Sequence, residues 1–359
     1  MSTSATVDQR ISFTLPPELS ATEPPEARGL DRDEVRLLVA ARNGITHAHF
    51  RDLARFLEPG DLVVVNTSAT VAAAVDGIRA CHEPIVVHFS SPLEDGMWVI
   101  ELRRRDGTGP VRDAVVGETV GLPGGVSAML LAPYPDADRY LGSRLWRARV
   151  SIEGPTDAYL AWFGRPITYN YLRGQWPLSD YQTVFSRDPG SAEMPSAARP
   201  FTDALVTELA VRGITIAPIT LHAGVSSLEA GEPPLPERFR VPSATARQVA
   251  HTRRYGGNVI AVGTTVARAL ESVAFEGGDI VPAEGWTDLV LDPRRPARVV
   301  DGLITGWHTP ESSHLLLLEA VAGPDLVAAA YAEALEERYQ WHEFGDSCLF
   351  LPGRSQARQ

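Results

Sequence analysis

Four short apolar runs, each bounded by turn-forming residues, limit the folds open to this chain. They are DLVVVN (61–66), ITIAPITLHAG (214–224), NVIAVG (258–263) and VVDGLIT (299–305). Runs of this length and continuity read as strands buried in a sheet. Between and after them lie helical patterns. FTDALVTELAVRG (201–213) has Thr202 as its cap, SATARQVAHTRRYG (243–256) stops at a glycine, and TTVARALESVAFEG (264–277) begins after Gly263. SSHLLLLEAVAG (312–323) is capped by Ser312 and ended by Gly323, and PDLVAAAYAEALEERY (324–339) opens on Pro324 and Asp325. RLLVAA (36–41) adds a strand and HFRDLARFL (49–57) a short amphipathic helix. The alternation predicts an α/β domain with most strands covered by helices.

From about Thr67 to Val150 the texture changes. IVVHFSS, MWVIELRR, VGETVGLPGG, VSAMLLAPY and RLWRARVSI are short strand-like runs split by Gly, Pro and Asp. Such spacing suggests a small antiparallel β-barrel. The expected organisation is an α/β main domain over 1–66 and 151–359, with the barrel inserted at 67–150.

Composition excludes some classes of function. Only Cys81 and Cys348 are present, which suits reduced thiols rather than a disulfide framework. No apolar run reaches the roughly 18–20 residues of a membrane span, and MSTSATVDQR is too polar for a secretory leader, so a cytoplasmic protein is expected. There is no Walker loop, dinucleotide fingerprint, HExxH or GxSxG, and nine histidines lack metal-ligand spacing. The formal charge of −12 disfavours a protein that neutralises many phosphates.

Three strand ends compete for the site, since open α/β sheets bind ligands beyond the carboxyl ends of their strands. The first is His222 in TLHAG. The second is Val262–Thr265, where Gly263, Thr264 and Thr265 could hold a carboxylate or ribose, or where the threonines could simply cap a helix. The third is Asp301 with His308. Arg268 and Glu271, three apart on one helix, could form a surface pair or support the site. The basic run Arg103–Arg105 reads as a solvated strand edge.

Val299–Ser313, VVDGLITGWHTPESS, resembles the VDGLITNFHLPKS signature of the S-adenosylmethionine:tRNA ribosyltransferase-isomerases of the queuosine pathway. FTLPPEL (13–19), HFRDLARFLEPGDLVVVN (49–66), YQTVF (181–185), ITLHAG (219–224), GGNVIAVGTTVARALES (256–272) and FGDSCLF (344–350) match in order. The chain is identified as a member of that family over about residues 11–352. The resemblance implies S-adenosylmethionine as a substrate, with neither metal nor pyridoxal phosphate. It also implies transfer of the ribosyl group to a 7-deazaguanine base in tRNA, with loss of adenine and methionine. A role for Tyr181 comes from the same match, although a buried Tyr hydroxyl often only finds a hydrogen-bond partner.

Departures from the family pattern are clustered. Ala69 and Ala74 stand where arginines belong, Glu311 replaces a lysine, Pro200 replaces a histidine, and Glu193 and Met194 replace small residues. GVSSL and PPLPERF lose further family residues, though Glu237 survives. Lost cations remove phosphate contacts, so tRNA is a doubtful partner. The favoured expectation is therefore small-molecule C–S cleavage, for instance cyclisation of S-adenosylmethionine to 1-aminocyclopropane-1-carboxylate plus methylthioadenosine. His222 or His308 would be the base, Glu193 a substrate clamp, and Gly263–Thr265 part of the pocket. The alternatives are the tRNA enzyme itself, with Arg103–Arg105 or Arg253–Arg254 taking over phosphate binding, and a binding protein without turnover. The oligomeric state is open.

Overall fold

The computed structural model describes residues 11–135, 143–225, 234–310 and 312–353; Glu311, the N-terminal segment and the Ser226–Leu228 end of GVSSL lie outside them. Among the described residues, nine strands form one mixed sheet. Its order is Ala283–Thr287, Glu237–Val241, Thr215–His222, Leu62–Asn66, Val259–Val262, Gly302–Gly306, Ser347–Leu351, Arg36–Ala41 and Gly44–His49. The four apolar runs lie together at its centre. Thr215–His222, Leu62–Asn66, Val259–Val262 and Gly302–Gly306 pair in parallel, so their carboxyl ends share one edge of the sheet.

Helices cover both faces of this centre. Asp203–Val211 lies on one face with Phe50, Phe201 and Val262, and Thr264–Ser272, Ser313–Ala322 and Pro324–Glu336 contribute to the larger core on the other. Thr202 caps its helix by accepting from the Leu205 amide, and Ser312 accepts from that of His314. HFRDLARFL forms a 3-10 helix, Phe50–Arg55, rather than an α-helix. Four of the nine strands, Gly44–His49, Glu237–Val241, Ala283–Thr287 and Ser347–Leu351, were not read from the sequence; the first three have mostly polar or half-exposed residues. Among the described residues no single helix is long and apolar enough to cross a membrane.

The second sheet is a closed six-stranded antiparallel barrel, so the expected fold class holds. Ala74–Ile78, Pro84–Pro92, Trp98–Arg104, Leu145–Val150, Ser127–Pro133 and Thr119–Gly121 follow one another, and Ile78 pairs with Gly121 to close the ring. Ala74–Ile78 is the strand that the apolar pattern did not reveal, because Asp76 and Gly77 interrupt it. Gly77 is there for space: a Cβ on it would come within 2.9 Å of Val120 Cγ1. Arg103 is not on an edge, since its strand is flanked on both sides, and its guanidinium lies 3.3 Å from Glu101.

At the amino ends of the central strands, two carboxylates fix the backbone. Asp301 accepts from the Val259 amide at 3.0 Å. Buried Glu271 accepts from the amides of Arg298, Val299 and Val300 at 2.8, 2.8 and 2.9 Å. The turn into the Gly302–Gly306 strand thus depends on one side chain. Glu271→Ala leaves three amides without their acceptor and is expected to cost about 3 kcal/mol or more. Chemical denaturation measures this; a loss below about 0.5 kcal/mol, the usual scatter of surface substitutions, would refute the role.

Candidate active site

A cavity of about 310 Å³ opens at the carboxyl edge of the sheet. Three of the four parallel strands deliver their carboxyl ends and following loops there. Ala223 and Gly224 follow one strand, Gly263–Thr265 the next, and Thr305–Thr309 the third. Seven residues singled out in the sequence line it: Glu193, Met194, Gly263, Thr264, Thr265, Arg268 and His308.

Gly263 adopts φ 90° and ψ 157°, a conformation that side chains rarely tolerate, and turns the chain sharply from strand to helix. Its amide donates to the Ile304 carbonyl at 2.8 Å. No side chain caps the helix that begins at Thr264, so the threonines are not the helix caps that were one expectation. The first amides of this helix instead lie at the cavity wall, where they suit a carboxylate or ribose oxygen.

His308 is held by its backbone and its ring. Its amide donates to Tyr331 Oη at 3.2 Å, and its carbonyl accepts from Trp341 Nε1 at 3.1 Å. Trp307 anchors the same loop, with ring centroids 5.0 Å from Tyr331, 5.3 Å from Trp341 and 5.7 Å from Tyr339. Pairs of this kind contribute about 0.5–1.5 kcal/mol each beyond area burial. Thr305 Oγ1 donates to the Gly306 carbonyl at 3.1 Å and lies 3.0 Å from His308 Nε2. A hydroxyl has one proton, so Nε2–H is the donor and Nδ1 keeps its lone pair. The ring stacks on His314 at 4.6 Å and 3°. Burial, then the neighbouring His314 and His342, holds His308 well below the ordinary histidine range. It is a neutral imidazole.

Another part of the lining is aromatic and acidic. Tyr169 and Tyr171 stack at 5.8 Å, and Tyr171 stacks on His342 at 4.0 Å. Tyr169 Oη donates to Glu193, and Tyr171 Oη donates to Glu343 Oε2 at 3.1 Å. Burial, then the charge of Glu193, pushes the Glu343 carboxyl up to about 8. Tyr169, Tyr171, His314, His342 and Glu343 were all missed in the sequence, where nothing in period or spacing marks them.

Arg268 and Glu271 do not form a surface pair. Arg268 is buried and bonds Glu237, along with the carbonyls of Leu289 at 3.1 Å, Leu235 at 3.1 Å and Thr287 at 3.3 Å. Glu237 also accepts from the Gly224 amide at 3.2 Å, and burial still raises its pKa against the pull of Arg268.

Four expected residues are not brought into the cavity wall. Asp301 and Glu271 sit at the amino edge; a strand of five residues separates Asp301 from His308, roughly 16 Å of chain. Pairing Asp301 with His308 in one site is therefore corrected. Tyr181 is buried in a small cluster with Phe344, its ring edge-on at 5.3 Å, and so acts in packing. His222 points to the neighbouring segment. Its Nδ1 lies 2.8 Å from Ser68 Oγ, which is 2.7 Å from Ser191 Oγ, and Ser191 Oγ accepts the Ala223 amide at 3.0 Å. His222 thus steadies the chain that leads to Glu193. Among the described residues no group of three or more His, Cys, Asp or Glu could hold a metal ion.

The sequence pattern of a family described as "Queuosine biosynthesis protein" matches residues 9–350. The chain is 35% identical over 334 residues to the S-adenosylmethionine:tRNA ribosyltransferase-isomerase of Heliobacterium modesticaldum, covering 89% of this chain and 94% of the relative. It is 33% identical over 350 residues to that of Thermotoga maritima, covering 94% and 98%. The crystal structure of S-adenosylmethionine tRNA ribosyltransferase from Thermotoga maritima is similar, with 31% identity, a TM-score of 0.51 and coverage of 94% of this chain and 99% of the other.

Burial pushes His314 and His342 down to about 4 from the ordinary 6.5. Between those values the unfolded chain binds these protons and the folded chain does not, so their contribution to stability is lost as pH falls through that window. The melting temperature of His342→Gln should therefore gain on that of the wild type between pH 6.5 and 4. A constant difference would refute the neutral assignment.

Proposed function

This chain belongs to the queuosine biosynthesis protein family, and from that premise we propose that it transfers the ribosyl group of S-adenosylmethionine to a base in tRNA and isomerises it. One observation carries the proposal. The relatives that bear this activity in their names are matched over 94% and 98% of their length, well beyond a ligand-binding part alone. The expectation that tRNA is a doubtful partner is corrected by the same finding. Cyclisation of S-adenosylmethionine to 1-aminocyclopropane-1-carboxylate gains no support from these relatives.

The cavity suits a sulfonium substrate. Free amides at Thr264 and Thr265 can take the carboxylate or ribose oxygens. Neutral His308 offers a lone pair as proton acceptor without placing a second cation beside the sulfonium. The sulfonium itself activates the adjoining carbons, so the protein's contributions are orientation, a base and exclusion of water.

Besides the exposed Arg104, Arg105 and Arg254 of the expected runs, other arginines suit phosphate contacts. Arg253 is tied to the Arg298 and Val299 carbonyls at 2.9 and 3.3 Å, and Arg103 to Glu101. Arg238 and Arg240 are exposed on the strand Glu237–Val241, whose first residue lines the cavity. They share one face, with Arg238 directly between His222 and Trp286 in register. Two exposed cations and an indole on neighbouring strands suit an RNA loop with an unstacked base.

The enzyme is incubated with S-adenosylmethionine, with and without unmodified precursor tRNA. Adenine and methionine should form only with RNA, together with a heavier RNA. Equal release of methylthioadenosine without RNA would overturn the proposal. The double variant R238E/R240E should weaken tRNA binding by about tenfold or more and flatten the salt slope by roughly two contacts. Unchanged RNA affinity would remove these arginines from the interface.

A further inference from the structure

We infer that Glu193 and Glu343 make the cavity selective for a sulfonium cation, gripping the charged sulfur of S-adenosylmethionine against the tyrosine wall. This assignment rests on the reading of S-adenosylmethionine as the substrate.

The two carboxylates come from distant segments and meet at one wall of the cavity. Each is oriented by a tyrosine hydroxyl, Tyr169 for Glu193 and Tyr171 for Glu343. The tyrosines are themselves fixed by the stack that ends on His342, 4.0 Å from Tyr171. His342 is held at φ 73°, a strained value for a side-chain-bearing residue, and its Nε2 lies 3.1 Å from Ser20 Oγ. Strain of this kind persists only where the surroundings impose it. The wall is pre-formed.

Glu343 has an acceptor to spare: among the described residues its Oε1 is buried with no hydrogen-bond partner. Charged groups around it do not supply one. Glu193 is of like charge, and Tyr169, Tyr171 and Tyr181 are neutral phenols. Arg199, the cation that lowers its pKa, is committed to Glu26 Oε2 and to the Asp180 carbonyl, both at 2.8 Å. Arg268 is committed to Glu237. His308, His314 and His342 are kept neutral by burial. A buried carboxylate with one unpartnered oxygen beside a group of like charge is costly to ionise, so Glu343 holds its proton until a ligand binds. A ligand cation is the missing partner, and electron-rich aromatic faces favour one whose charge is spread over carbon. Sulfonium binding then expels the Glu343 proton to solvent.

Two consequences follow from charge alone. S-Adenosylhomocysteine lacks the sulfonium charge but keeps the ammonium, carboxylate and adenosine, so it should bind more weakly. Binding of S-adenosylmethionine should release about one proton below pH 8, the value to which Glu343 is raised.

Titration calorimetry at pH 7 tests this with S-adenosylmethionine and S-adenosylhomocysteine, each in phosphate and in Tris. The wild type should prefer S-adenosylmethionine by about tenfold or more and release a proton only with it. In Glu343→Gln that preference should shrink to within about threefold, the proton release should vanish, and S-adenosylhomocysteine affinity should stay within about twofold. Glu193→Gln should lose the preference too. Retained S-adenosylhomocysteine binding reports an intact cavity. Equal weakening of both ligands, or an unchanged preference in both variants, would overturn the inference while leaving the proposed function standing. A wild type that binds neither ligand would overturn both.

Discussion

Parallel pairing of Leu62–Asn66 with Thr215–His222 and Val259–Val262, and of the last with Gly302–Gly306, is the constraint on which the site depends. Strands that run in one direction end on one edge, and loops that follow them must meet there. The opposite edge is closed by carboxylates that take backbone amides, Asp301 and Glu271 above all. Without those acceptors the turn entering Gly302 would carry buried, unpaired donors, and the loop that bears His308 would lose its base.

Within the cavity, burial decides protonation. Three imidazoles stay neutral because desolvation penalises their charged form, and burial with the charge of Glu193 raises the Glu343 carboxyl to about 8. Arg268 avoids that cost by pairing with Glu237 and three carbonyls.

Much of the main domain is legible in the chain, since the central strands are continuous apolar runs and their helices carry caps at Thr202 and Ser312. The barrel is legible apart from the strand Ala74–Ile78, where Asp76 and Gly77 break the pattern that a closed ring makes usable. Gly263 and His308 stand out because a glycine before a helix and a histidine after a strand are local signals, whereas Glu193 stands out only against the family pattern. His342 and Glu343 carry none. They belong to the loop before the Ser347–Leu351 strand, and their place in the site comes from Tyr171, far away in sequence.

Local pattern therefore determined the central elements, their order and the fold class, because periodicity and caps act over a few residues. It could not place Asp301 and His308, seven positions apart, at opposite edges of the sheet, because that follows from strand direction. Nor could it separate Glu271, which fastens a turn, from Glu343, which faces the cavity. Both are buried carboxylates, and only the tertiary structure decides whether backbone amides or a ligand space surround them. Hydrogen bonding and solvation depend on what lies around a group in space, and the chain brings those neighbours from 24, 28 and 172 residues away.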